Sequence, residues 1–222
     1  MTSSAKNIAV DYFSDLLCVW AWIAQPRLEE LEKQWGNEIT LRHHFVDIFG
    51  DCHQKIPDKW GLDDGFDKFG DHVQQSAEPF ERARVSPDVW HNVQPRSSAQ
   101  AHLVLRAAGL TNRAQQLPAL AKRFREAFFC EAQDISDQDV LLALAQELGF
   151  NADELLGKLK DGSAIAAYST DLRRSSELGV RGSPTWILNS GRQVLYGNVG
   201  YRILSANIEE LLSHPADEAS WC

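Results

Sequence analysis

Strand-forming residues are concentrated near the two ends of this 222-residue chain. Residues 8–13 (IAVDYF) and 39–46 (ITLRHHFV) have strand-like patterns, and the stretch between them, 18–35, has apolar residues at helical spacing. Close to the other end, residues 185–188 (TWIL) and 193–196 (QVLY) are predicted to form a hairpin, followed by a last helix. Because strands must pair, these distant segments are predicted to share one sheet in a small α/β unit.

The region between the strand pairs is predicted to be helical. Helices are expected over 97–109, 113–129 and 163–178, whereas 49–88 is expected to consist of loops with short helices. Ser136 and Asn151 are predicted to cap two further helices. The predicted division is therefore a core unit made of residues 1–54 and 179–222, with an all-helical domain inserted at 55–178.

Cys18 follows the first strand and begins the first helix. Free N–H groups and the helix dipole favour an anion at such a position, so the thiol is expected to have a lowered pKa and to be the most reactive of the four cysteines. The alternative is a buried cysteine that acts as a small apolar residue.

Pro184 stands directly before the third predicted strand, in the sequence Arg-Gly-Ser-Pro-Thr at 181–185. Proline cannot donate a hydrogen bond to a neighbouring strand, so it is tolerated at the first residue of a strand, often with a cis peptide bond. An ordinary trans turn proline is the alternative.

Together, these features resemble the DsbA-like branch of the thioredoxin fold. The stretches FREAFFCEAQDISDQDVLLALAQELG at 124–149 and VRGSPTWILN at 180–189 are similar to patterns of that family. The branch includes DsbA and FrnE-type oxidoreductases, kappa-class glutathione transferases and 2-hydroxychromene-2-carboxylate isomerases. The resemblance implies a thioredoxin fold with an all-helical domain inserted before a strand that begins at a cis-proline.

The sequence departs from the oxidoreductase motif at one position. Those members carry CxxC at the helix start, whereas this chain has Cys18-Val19-Trp20-Ala21. The resemblance implies a thiol-dependent oxidoreductase in which Cys18 is catalytic and glutathione or a distant thiol completes turnover. It places Ala21, Ser183 and Pro184 at the substrate or glutathione site. Trp20, which is also assigned to this site, could line a substrate groove or pack between the two domains.

Two other functions remain open. In a glutathione transferase or isomerase, Cys18 would stabilise the glutathione thiolate, as serine does in those relatives. In a binding module, catalysis would have been lost with the second cysteine. No tightly bound cofactor is expected, and glutathione would be a cosubstrate.

The remaining cysteines and histidines suggest little further chemistry. Cys52 follows the second strand and could be the distant thiol, whereas Cys130 is expected to pack on an apolar helical face and Cys222 to be exposed in a loose tail. His43 and His44 should point to opposite faces of a strand, so no metal site is expected.

The acidic composition restricts the partners. A formal charge of −9 disfavours binding to nucleic acid and to anionic lipid. Neither a signal peptide nor a membrane-spanning run is recognised in the sequence. The sequence therefore predicts a cytoplasmic protein with reduced cysteines that acts on a small thiol or disulfide; a homodimer remains open.

Overall fold

A four-stranded sheet lies at the centre of the molecule, for which a computed structural model describes residues 7–214. Its strands are β1 (Ile8–Ser14), β2 (Ile39–Phe45), β3 (Thr185–Leu188) and β4 (Gln193–Tyr196), in the order β2-β1-β3-β4. β2 is parallel to β1, whereas β3 is antiparallel to both β1 and β4. The predicted pairing of the two ends of the chain is confirmed.

The helices fall into two groups. Two of them belong with the sheet, and the rest lie between β2 and β3 in sequence, as predicted. In chain order the α-helices of the described residues are α1 (Val19–Trp35), α2 (Cys52–Trp60), α3 (Gly65–Ala77), α4 (Ala99–Gly109), α5 (Leu117–Phe129), α6 (Gln138–Glu147), α7 (Ala152–Lys160), α8 (Ser163–Glu177) and α9 (Tyr201–Ser213). None of these helices is both long and apolar enough to cross a membrane.

One apolar cluster joins α1 and α9 to the sheet. Alternate residues of β1, such as Val10, and of β3, such as Trp186, pack with Leu31 of α1 and Ile208 of α9. A second, larger cluster combines the first turns of α1 with the inserted helices. The inserted helices therefore share a core with the segment that carries Cys18.

Two local predictions need correction. The region 49–88 contains a 13-residue helix, α3, because Phe69, Val73 and Ala77 recur at a four-residue interval and are buried. The cap of α6 is Asp137 and not Ser136, since the Asp137 side chain accepts a hydrogen bond from the N–H of Asp139.

The predicted cap of α7 is confirmed, because the Asn151 side chain accepts a hydrogen bond from the N–H of Glu154. The predicted loose tail, including Cys222, lies almost entirely outside the described residues.

Candidate active site

Cys18 lies where the segment that follows β1 meets the segment that precedes β3. It is the N-cap of α1, and its carbonyl accepts hydrogen bonds from the N–H groups of Ala21 and Trp22. Its Sγ donates to the carbonyl of Ser183, at a distance of 3.2 Å. The peptide bond between Ser183 and Pro184 is cis. The fold thus places the predicted thiol directly beside the loop that precedes β3.

The thiol of Cys18 is buried, with 6% of the residue exposed. Burial raises its pKa, and the nearby Asp15 carboxylate raises it further, while hydrogen bonds from Ser183 and from the backbone of Ala21 and Trp20 partly offset the rise. The predicted lowering of the pKa is therefore wrong: desolvation of the thiolate outweighs the favourable position at the helix start.

A cavity of about 370 Å³ opens beside Cys18. Five aromatic side chains contribute to its walls, and the ionisable side chains among its lining, apart from Cys18 and Tyr196, are basic. The aromatic side chains are Trp20, Phe49, Trp60, Phe69 and Tyr196, and the basic ones are Lys55, Lys59, His72 and Arg181. The cavity could hold an anionic molecule with an apolar portion.

Two of the four predicted binding residues line the cavity, and the other two lie beneath its surface. Trp20 and Ser183 line the cavity beside Cys18, and Trp20 also packs against the larger apolar cluster. Ala21 and Pro184 are buried and do not line the cavity. Ala21 and Pro184 therefore shape the site from behind its surface.

Asp15 was missed as a site residue. Its fully buried carboxylate accepts hydrogen bonds from the N–H groups of Leu17 (2.9 Å) and Phe49 (2.8 Å) and from the Ser98 hydroxyl (2.8 Å). Its own N–H donates to the Ser183 hydroxyl. Burial raises the pKa of Asp15 to about 6 against the effect of these donors. In the sequence Asp15 signals only the end of a strand, because its partners come from three distant segments.

A histidine adjoins this carboxylate. The Nε2 of His102 accepts a hydrogen bond from the N–H of Leu16, and its Nδ1 lies 3.2 Å from the Tyr168 hydroxyl. Burial lowers the pKa of His102 to about 3, so the ring is neutral. His102 therefore fixes the segment before Cys18 without adding a charge.

Neither Cys52 nor Cys130 lines this cavity. Cys52 is fully buried, burial raises its pKa, and its thiol donates to the Phe49 carbonyl. Cys130 is exposed, which corrects the predicted apolar packing: it is the C-cap of α5 and lies beyond the buried face. Cys18, Cys52 and Cys130 are all free thiols.

The two histidines of β2, His43 and His44, differ in their polar contacts. His44 lies between the carboxylates of Asp11 (3.0 Å) and Asp171 (2.9 Å), whereas the ring nitrogens of His43 have no partner. Within residues 7–214, no group of three or more His, Cys, Asp or Glu residues could hold a metal ion.

The model of the DSBA-like thioredoxin domain matches residues 9–209. The chain belongs to this family. The four-stranded sheet and the helices inserted before the cis-proline strand are thus a thioredoxin fold of the DsbA-like kind, as the sequence resemblance implied.

Three solved structures illustrate the fold. The cytosolic disulfide reductase DsbM from Pseudomonas aeruginosa has a TM-score of 0.70 at 22% identity, covering 90% of this chain and 98% of DsbM. A structure of DsbM with GSH has a TM-score of 0.66 at 20% identity, with 90% and 99% coverage. A 2-hydroxychromene-2-carboxylate isomerase has a TM-score of 0.65 at 20% identity, covering 96% of this chain and all of the isomerase. At these identities the likeness establishes the fold alone.

Curated relatives carry a different description. The ClpXP adapter protein SpxH of Bacillus licheniformis is 26% identical over 212 residues, which are 93% of this chain and 68% of the relative. SpxH of Bacillus subtilis is 26% identical over 182 residues, which are 81% of this chain and 58% of the relative. The chain thus spans between about half and two thirds of the length of these relatives.

Proposed function

We propose that this protein catalyses thiol–disulfide exchange linked to glutathione, with Cys18 as its single reacting thiol. The observation that carries the proposal is the placement of the Cys18 Sγ, which lies beside the Ser183 backbone at the wall of a basic, aromatic cavity. The activity would belong to a reducing compartment such as the cytoplasm, where free glutathione can regenerate the thiol.

The exchange needs no second cysteine in the protein. The Cys18 thiolate, its proton released to solvent, attacks the glutathione sulfur of a mixed disulfide R–S–S–G. A Cys18–glutathione disulfide forms, and R–S⁻ leaves and takes up a proton. A second glutathione thiolate then attacks the glutathione sulfur of that adduct, which releases oxidised glutathione and restores Cys18. One disulfide is reduced for each oxidised glutathione formed.

The chemistry of the cavity suits glutathione. The tripeptide carries two carboxylates, and the exposed side chains of Lys55, Lys59 and Arg181 supply positive charge around the cavity. A peptide-like ligand could lie extended along the backbone at Ser183, and Trp20 offers an apolar wall. DsbM, a structural neighbour, has been solved with GSH, which supports the proposal by analogy of fold.

Intact-mass measurement after treatment with oxidised glutathione tests the proposal. We expect one glutathione adduct that maps to Cys18 and is absent from a Cys18→Ser variant. Because Cys130 is exposed, it provides an internal comparison for non-specific exchange. An adduct on Cys130 with none on Cys18 in the folded protein would contradict the proposal.

A binding module is the second candidate. Two observations favour it: burial raises the pKa of Cys18, which suppresses the thiolate, and the curated relatives are named as adapters. This function predicts that a Cys18→Ser variant keeps full affinity for a partner protein. The exchange function predicts loss of turnover in the same variant.

The aromatic walls of the cavity favour a third candidate, a glutathione-dependent transferase or isomerase. There the Cys18 thiol, which donates a hydrogen bond in this structure, would donate instead to a bound glutathione thiolate. In that case Cys18→Ser would retain activity on an aromatic substrate, because a serine hydroxyl can donate the same hydrogen bond.

A further inference from the structure

Tyr196, the last residue of β4, covers the loop that precedes the cis-proline. The residue is 65% exposed, and its side chain lines the cavity beside Cys18. The ring lies so close to the backbone of Gly182 that a Cβ atom at that position would be 2.7 Å from the ring carbon Cε2. Non-bonded carbon atoms do not normally come so close. Only a glycine at position 182 therefore leaves room for the ring.

The backbone of Gly182 and the strand that carries the ring are both held in place. The Gly182 carbonyl accepts a hydrogen bond from the Thr185 hydroxyl at 2.9 Å. The N–H of Gly197, which follows Tyr196, donates to the Pro184 carbonyl at 2.9 Å. Tyr196 is itself the partner of Thr185 in the β3–β4 ladder. The ring is therefore held over Gly182 by the sheet and not by a free loop.

This placement limits the length of chain that can lie beside Cys18. An extended ligand that pairs with the backbone at Ser183 gains main-chain hydrogen bonds. A longer polypeptide would continue across Gly182, where the Tyr196 ring lies against the backbone. The cavity volume of about 370 Å³ is near the lower end of the range of about 300–1,000 Å³ that is typical of small-molecule sites. A ligand that ends within the cavity avoids the ring, whereas a polypeptide segment does not.

We infer that Tyr196 is a specificity-determining residue, which restricts the sulfur that Cys18 attacks to that of a small thiol such as glutathione. A cysteine within a polypeptide chain is excluded from bonding to Cys18. The inference rests on the proposed role of Cys18 as the reacting thiol. The discrimination comes from a steric obstacle to the larger partner and needs no added contact with the smaller one. The protein would thus release a polypeptide thiol from its mixed disulfide with glutathione without forming a disulfide to the polypeptide.

The rates at which two activated disulfides label Cys18 test the inference. Both probes carry a 2-thiopyridyl leaving group, one on glutathione and the other on the central cysteine of an extended acidic peptide. The Cys18 thiolate attacks the glutathione or peptide sulfur, a disulfide to Cys18 forms, and the thiopyridine anion leaves and takes up a proton. Peptide mapping gives the rate at Cys18 alone. Since both rates depend on the same thiolate, their ratio reports the size of the probe and not the pKa of Cys18.

The wild type should be labelled faster by the glutathione probe than by the peptide probe. Tyr196→Ala should raise the rate with the peptide probe about tenfold, as expected for removal of a mismatch in a pocket, and should change the rate with the glutathione probe by less than about twofold. Tyr196→Phe keeps the ring and should retain the wild-type ratio. Val194→Ala is the matched control and should also retain it, because Val194 is exposed on the same face of β4 but does not line the cavity.

The outcomes separate the inference from the proposed function. A wild-type ratio near one, or a ratio that Tyr196→Ala leaves unchanged, would overturn the inference. Equal changes of the ratio in Tyr196→Phe and Tyr196→Ala would also overturn it, because the hydroxyl group and not the ring would then be responsible. The labelling involves no turnover, so a protein that selects the glutathione probe through Tyr196 but does not reduce mixed disulfides would lose the proposed function alone.

Discussion

At the scale of single residues, two opposing effects act on Cys18. The start of α1 favours the thiolate, whereas burial and the Asp15 carboxylate favour the thiol, and the latter effects are larger. A folded pKa above the unfolded value means that the native state binds more protons over that range. The contribution of Cys18 to stability is therefore complete below the unfolded pKa and is lost as the pH rises through the folded pKa.

The first prediction follows from the raised pKa of Cys18. Alkylation of Cys18 by iodoacetamide should be slower in the folded protein than in urea at pH 8.5, and the folded rate should still rise above that pH. Peptide mapping at a series of pH values checks it, with exposed Cys130 as the internal comparison. A Cys18 rate that levels off below pH 8 would show a lowered pKa.

The second prediction concerns position 21. Cys18 caps α1 and Ala21 is three residues later, so the helical spacing brings the two Cα atoms to about 5 Å, within the range of a disulfide. In the Ala21→Cys variant, the new thiol should form an internal disulfide with Cys18 and eject glutathione from the Cys18–glutathione adduct. In the Ala21→Ser variant, where serine is close in size to cysteine but cannot form a disulfide, the adduct should stay stable. Intact mass measured over time distinguishes them. Equal adduct lifetimes in the two variants would contradict the expectation.

The sequence pointed to Cys18 as the candidate thiol but not to the residues that surround it. Cys18 was recognisable because strand, cysteine and helix are consecutive in the chain. Asp15, Ser98 and Ser183 come together only through tertiary contacts, which the order of residues along the chain does not indicate. Cys130 was misjudged for a related reason: one residue beyond the end of a helix, the helical spacing no longer fixes which way a side chain faces.

At the scale of secondary-structure elements, a buried ionic cluster ties the inserted helices to the sheet. Asp171 of α8 accepts from the N–H of Phe45, lies 2.9 Å from His44 and pairs with Arg106 of α4. On the other side of His44, Asp11 of β1 pairs with Arg174 of α8. Because Asp171 is the ion-pair partner of Arg106, removal of its carboxylate leaves a largely buried positive charge unpaired.

The third prediction tests this cluster. Asp171→Asn should lower the free energy of unfolding by about 3 kcal/mol, because the largely buried guanidinium of Arg106 loses its ion-pair partner and the N–H of Phe45 loses a carboxylate acceptor. Glu177→Gln, an exposed change on the same helix, should change it by less than about 0.5 kcal/mol. Urea denaturation at pH 7 measures both. A loss below about 1 kcal/mol for Asp171→Asn would show that the cluster adds little stability.

The elements themselves were largely predictable, and the errors have a common origin. Strands and helices with regular apolar spacing, such as α1, were recognised, whereas α3 was missed because Gly65, Gly70 and its polar residues favour a loop. Tertiary packing of Phe69 and Val73 overrides these local preferences. The ionic cluster could not be predicted, since Asp11, His44 and Asp171 converge only in the folded sheet and α8.

At the scale of the whole molecule, the chain is acidic but the lining of the cavity beside Cys18 is not. The formal charge is −9, while the charged side chains that line the cavity are basic. An anionic ligand is repelled by the molecule as a whole and attracted by the cavity. Since exposed charges are screened beyond about 8 Å at physiological ionic strength, the local attraction should control binding there.

The fourth prediction uses S-methylglutathione, which keeps both carboxylates of glutathione but cannot exchange disulfides. Lys59→Gln and Arg181→Gln should each weaken its binding about two- to fivefold, because each removes one exposed charge next to the cavity. Lys33→Gln, with a side chain 78% exposed and not part of the cavity lining, controls for the change in net charge. Calorimetry at low and at physiological salt measures the affinity of the wild type and of the three variants. As salt is added, the affinity of the wild type should fall, and the difference between the wild type and each of the two cavity variants should become smaller. If Lys33→Gln weakens binding as much as Lys59→Gln, net charge and not the cavity attracts the ligand, and the assignment of glutathione to this site would lose its electrostatic support.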